Sequence, residues 1–157
     1  QYARLGLGRS INLFRIGSGG APAADPFSPV APSPQDTDLS IGEPFRVVDL
    51  NNSDTNLTEE EVGMFYQPVQ VGNLISYYAK KFDTTPTWIL NKSDNKIYRS
   101  IQLSISAKDA RGLRINELGL CIADPAYGNI ELFSRWTTET IAFNDTMAMK
   151  FEYLVYA

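Results

Sequence analysis

From Lys96 to Ala157 the apolar side chains fall on every second position, and that spacing limits the folds open to this chain more than any other feature. Ile97, Ile101, Leu103 and Ile105 share one parity. Leu113 and Ile115 share another and, after one slip, so do Leu118, Leu120 and Ile122. Met147, Met149, Phe151, Tyr153 and Val155 complete the set. Alternation with period two marks strands with one face on a core and the other toward water. Short alternating runs separated by turns imply an all-β fold, an antiparallel β-sandwich. The same parity assigns Leu103, Ile105, Leu118, Leu120, Phe151 and Tyr153 to the core. It puts Gly119 and Cys121 on the opposite face, with Cys121 structural and unreactive.

The chain has 157 residues, which fits one domain with an appendage. It contains no histidine, which removes Ser-His-Asp and Cys-His nucleophilic chemistry and the commonest transition-metal ligand. A single cysteine, Cys121, leaves no internal disulfide, and a zinc site would need carboxylates around one thiol. The net charge of −4 gives no basic field for nucleic acid. No apolar run approaches the ~18 residues of a membrane span. The composition therefore points to no enzyme, no cofactor, no nucleic-acid contact and no membrane contact.

Residues 1–16 carry Arg4, Arg9 and Arg15 without an acid and end in a short strand, Ile11 to Ile16. Gly6 and Gly8 lack the spacing and lysine of a phosphate loop. Residues 17–44 hold six of the nine prolines, together with Gly17, Gly19, Gly20 and Gly42. Proline has a fixed φ and no amide donor, so this segment is read as a stiff extended arm. The reading divides the chain into 1–44, the lead-in, strand and arm, and 45–157, the sandwich. A structureless stretch this long is usually functional. Phe27 and Val30 offer apolar anchors, and Asp36 and Asp38 offer charge, for an interface with another subunit. In an isolated monomer such an arm is expected to be mobile. Residues 25–61 carry nine acids against Arg46, whereas residues 80–115 carry eight bases against three acids. These fields suit complementary surfaces on neighbouring copies.

Phe45–Leu50 reads as a strand. Asp49, Asn51, Ser53, Thr55 and Glu60 have the spacing of a calcium loop, but Asp54 stands where the sharp turn needs glycine. Thr58 is instead expected to cap a short helical turn, with Glu61 as its capping-box partner, ending before Pro68. Val71, Leu74, Ile75, Tyr78 and Phe82 suit a helix, yet the β-branched and aromatic content favours two extended segments around Pro86. Asn91–Asn95 reads as a hairpin turn, Lys108–Gly112 as a loop and Asp124–Asn129 as a turn. Ile130–Thr138 reads as a strand, with a last turn at Phe143–Thr146. The parity slip at Asn116-Glu117 marks a bulge. Glu117 and Arg135 are charges set inside apolar strand runs, and they are expected to pair across adjacent strands.

Several of these segments resemble structural proteins of tailed-bacteriophage particles. They are Ile115-Asn116-Glu117-Leu118-Gly119-Leu120, Leu132-Phe133-Ser134-Arg135-Trp136-Thr137 and the terminal strand Met149 to Tyr156. Gly17-Ser18-Gly19-Gly20-Ala21-Pro22 and Asp36-Thr37-Asp38-Leu39 are similar to the same group. The resemblance implies a multicopy virion component of neck, tail or baseplate without catalytic duty. Its partners would be copies of itself and other virion proteins, docked through sheet edges and arm. A different reading is a carbohydrate- or receptor-binding module on a fibre or capsid surface, using Trp88, Trp136, Tyr77, Tyr78 and Tyr127. A glycosidase built on Glu117 and Asp124 has little behind it, since their spacing defines no cleft.

Overall fold

The fold comes from a computed structural model of the chain, which describes residues 10–33, 35–83, 88–124, 126–144 and 148–156. The lead-in 1–9, Pro34, Pro86 and Met147 lie outside these residues, as do Asp145 and Thr146 of the last turn. The chain is all-β and antiparallel. Its strands are β1 (Ser10–Gly17), β2 (Gly42–Glu43), β3 (Arg46–Asp49), β4 (Phe65–Val71), β5 (Leu74–Lys81), β6 (Trp88–Asn91), β7 (Lys96–Ile105), β8 (Arg114–Ala123), β9 (Ile130–Ala142) and β10 (Met149–Tyr156). One sheet runs β3-β5-β1-β8-β9, with β2 on β1 and β4 on β5; the other runs β10-β7-β6.

The boundary at residue 44 is a change in composition and not in fold. β1 lies inside the larger sheet, paired with β8 along its whole length and with β5 at Leu13 and Phe14. Its Ile11, Leu13, Phe14 and Ile16 are almost fully buried, as a central strand covered on both faces requires. The ambiguous stretch after Val69 is extended. β4 and β5 form a hairpin closed by Gly72-Asn73, where Gly72 sits at φ +60° and supplies the backbone that a two-residue turn needs. β9 runs four residues past Thr138. The β8–β9 register shifts between Ile115 and Glu117, where the partner moves from Ile141 to Thr137. This is the irregularity that the parity slip marks.

The two sheets face each other across a core that joins Phe14, Ile16, Phe45 and Phe65 to Ile101, Leu103, Ile105, Leu118, Leu120 and Ile122. Phe151 and Tyr153 are half-buried against it rather than enclosed. A second, smaller cluster lies on the outer face of the large sheet and gathers Leu13, Ala79, Cys121, Ala123 and Leu132. A strand with both faces covered has no polar side, which explains why β8 is buried from Ile115 to Ala123. The cover over part of that outer face is the proline-rich segment itself: Leu39 lies against Gly119, where an added Cβ would come within 3.2 Å of it.

Candidate functional site

The proline-rich segment leaves β1 at Gly17 and returns at β2, and both roots are tied to one buried carboxylate. Glu117 is fully enclosed. Its Oε1 accepts the amides of Gly19 at 3.1 Å and Ile41 at 2.8 Å, and its Oε2 accepts the amide of Ser40 at 3.1 Å. Arg135 on β9 donates Nε to the same Oε2 at 2.9 Å. A buried charge is tolerated only when paired and hydrogen-bonded, and Glu117 meets both conditions. The expected Glu117–Arg135 pair is thus present, within a larger clasp. Arg135 also donates to Asp36 at 3.0 Å and to the Ser40 hydroxyl at 3.1 Å. Beside it, Asn116 Oδ1 accepts the Gly20 amide at 2.6 Å while its Nδ2 donates to Thr140 at 3.0 Å.

Glycine is needed at these roots by close approach. A Cβ on Gly17 would stand 2.4 Å from Glu117 Oε1, and one on Gly20 would stand 2.1 Å from the Asn116 carbonyl oxygen. Four of the segments singled out in the sequence therefore meet here: Gly17–Pro22 and Asp36–Leu39 from the arm, Asn116-Glu117 from β8, and Arg135 from β9. Asn116, and the amides that Glu117 accepts, left no trace in the pattern of charges.

Asp36 and Asp38 serve inside the chain. Asp36 takes Arg135, and the exposed Asp38 takes Arg15, which also donates to Gln67. The amide of Ser33, together with the Arg135 guanidinium, holds the Asp36 carboxyl below its ordinary pKa. Burial disfavours the Arg135 charge, but the bonds to Glu117 and Asp36 outweigh it and raise its pKa. Arg46 pairs with Glu61 and Lys80 with Asp109, the latter pair buried at 2.7 Å. Arg46–Glu61 lies within the acidic stretch and Lys80–Asp109 within the basic one, so neither pair joins the two fields. The arm differs from a free appendage, because it folds back on its own sheet. At its tip Phe27 is 68% exposed and Val30 53%, and near its return Ile41 is 54% exposed. The tip follows the open edge of β9, where Thr140 donates its amide to the Pro26 carbonyl and Thr137 its hydroxyl to the Val30 carbonyl, each at 2.7 Å.

The remaining candidates make local contacts. Thr55 donates to the Asp49 carbonyl and accepts the Asp49 amide, so the calcium-like loop spends its oxygens on its own backbone. Among the described residues no three metal-ligating side chains converge. Thr58 and Glu61 make the reciprocal capping-box bonds, around a turn rather than a helix. Burial pushes the Cys121 thiol up to about 12, which keeps it protonated and inert. Tyr127 stacks on Tyr66, Trp136 packs against Tyr153, and Tyr77 packs on Phe65. Tyr78 lines a cavity on the outer face, and the Trp88 side chain lies outside the described residues. Asp124 accepts the Gly128 amide in its turn. No helix among the described residues is long and apolar enough to cross a membrane. Compared with known proteins, the chain matches no family model and no curated protein.

Proposed function

We propose that this chain is a non-enzymatic structural component of a tailed-phage virion, an assembly protein of the neck, tail or baseplate. It docks on neighbouring subunits through its arm and its sheet edges. The observation that carries this reading is the build of the arm: its roots are locked by buried Glu117 and Asn116, while its tip presents Phe27 and Val30 to solvent. Exposed apolar groups on a held, proline-stiffened loop lose little entropy on docking. Four of the five phage-like segments meet at one clasp, which adds support by giving them a physical task; the terminal strand lies in the other sheet. The carbohydrate-module reading has less behind it, because Tyr127 stacks on Tyr66 and Trp136, though 45% exposed, packs against Tyr153.

Peptide mass spectrometry of gradient-purified particles, with antibody labelling of the intact particle, tests the proposal. The chain is expected in the particle fraction and at a fixed position on the neck, tail or baseplate. Its absence from particles, or specific glycan binding by the isolated chain, would overturn the assembly role.

A further inference from the structure

We infer that β10 is the edge that receives another subunit, pairing antiparallel with β10 of a second copy across a two-fold axis at Phe151. This rests on the reading that the chain docks through its sheet edges, and it names the edge and the register. The other edges are ill-suited to a new ladder. β4 carries Pro68 and, just before it, Gln67 at φ +57°. β9 already gives its Thr140 amide to the arm tip. β3 and β6 have four residues each. β10 has eight, without proline or glycine, and its register on β7 is unbroken. It ends the smaller sheet, so its outer backbone groups are a ready template for a further strand.

The core is unfinished along that edge. Met149, Phe151 and Tyr153 lie opposite Ile105, Leu103 and Ile101 of β7. The three β7 side chains are at most 1% exposed, whereas the three on β10 are only half-buried. Trp136 of β9 packs against Tyr153 and is itself 45% exposed. β10 has a strand on one side alone, and a second β10 covers the other.

Charge fixes the register. Lys150 and Glu152 alternate with these core-facing residues and are exposed. Glu152 accepts the Ser100 hydroxyl at 2.9 Å, and Lys150 pairs with no group among the described residues. A two-fold axis normal to the sheet keeps both core faces on one side, so inner residues meet inner ones. Centred on Lys150 or on Glu152, the axis sets like charges against each other. Centred on Tyr153, it sets Glu152 against Leu154. Centred on Phe151, it sets each Lys150 against Glu152 of the partner, two unlike pairs in the favoured cross-strand position. The same register places Met149 beside Tyr153 and Ala148 beside Leu154. The two three-stranded sheets then join as one of six.

Sedimentation velocity on the full chain, from micromolar to millimolar, tests this with Lys150→Glu, Glu152→Lys and the double variant. Both positions are exposed, so thermal unfolding should match the wild type. The wild type is expected to form a dimer. Each single variant sets like charges opposite each other at both rungs and should dimerise about tenfold or more weakly. The double variant restores unlike pairs and should dimerise as the wild type does. An equimolar mixture of the two single variants should form a one-to-one dimer for the same reason. A wild type that stays monomeric, association that either single variant leaves unchanged, or a double variant or mixture that fails to pair would each overturn the β10 contact. Those results leave the virion reading to its own test in particles. A chain that dimerises in this way yet is missing from particles would overturn that reading alone.

Discussion

Removing the Glu117 carboxylate strands four donors at once: three arm amides and a guanidinium. Breaking one side of a buried pair usually costs about 3–5 kcal/mol; here Arg135 keeps Asp36 as a partner, while three arm amides lose their acceptor. Glu117→Ala is therefore expected to lower stability by that amount in a urea titration. A loss below about 1 kcal/mol, the range of an exposed pair, would mean that solvent already screens the clasp. Asp36 adds a pH dependence. Its folded pKa lies below the unfolded value of 3.8. Its contribution is therefore complete above about pH 4 and fades as pH falls through the folded value. The stability difference between wild type and Asp36→Asn should persist at neutral pH and vanish in acid; a difference that grew in acid would contradict the Arg135 contact. Of this site, the charged pair was legible, because acids and bases seldom interrupt apolar strand runs without partners. The amide donors were not, since they come from 76 to 98 residues away along the chain and carry no side-chain signature.

At the scale of elements, the β4–β5 hairpin shows why periodicity alone misleads. Val71, Leu74, Ile75 and Tyr78 satisfy a helical spacing, yet Val71 and Leu74 stand on either side of a two-residue turn and Tyr78 faces outward. What decides is Gly72, which adopts φ +60° with open space around it. Gly72→Ala places a Cβ in the left-handed region and is expected to cost about 1 kcal/mol by chemical denaturation, without any steric clash. An unchanged midpoint would show that the turn relaxes to another type. The alternation in β7 and β10 was readable because those strands face the core with one side. Elsewhere it blurred for physical reasons. β8 is covered on both faces, and Lys80, one of the bases of the 80–115 stretch, is buried with Asp109 and donates to the Ser104 carbonyl as well.

For the whole molecule, the decisive placement is that of β1. Composition separates a proline-rich N-terminal third from a sandwich, but β1 stands between β5 and β8 and contributes to both apolar clusters. Ile11, Phe14 and Ile16 point to the main core and Leu13 to the outer one. The arm is thus an excursion between two strands of one sheet. A fragment of residues 45–157 would lack four side chains that are 0–1% exposed. Loss of even one such side chain typically costs 2–5 kcal/mol, and whole domains hold only about 5–15 kcal/mol in reserve. That fragment is expected to show no cooperative unfolding and poor amide dispersion in NMR. Cutting the full chain within its tip is expected to be harmless by contrast. Chymotrypsin should cleave after Phe27, which stands out from the surface, and the nicked halves should co-elute until denaturant is added, because β1 remains hydrogen-bonded on both edges. Cooperative folding of 45–157 by itself would show that β5 and β8 can close the sheet directly, and it would return the first 44 residues to the status of an appendage.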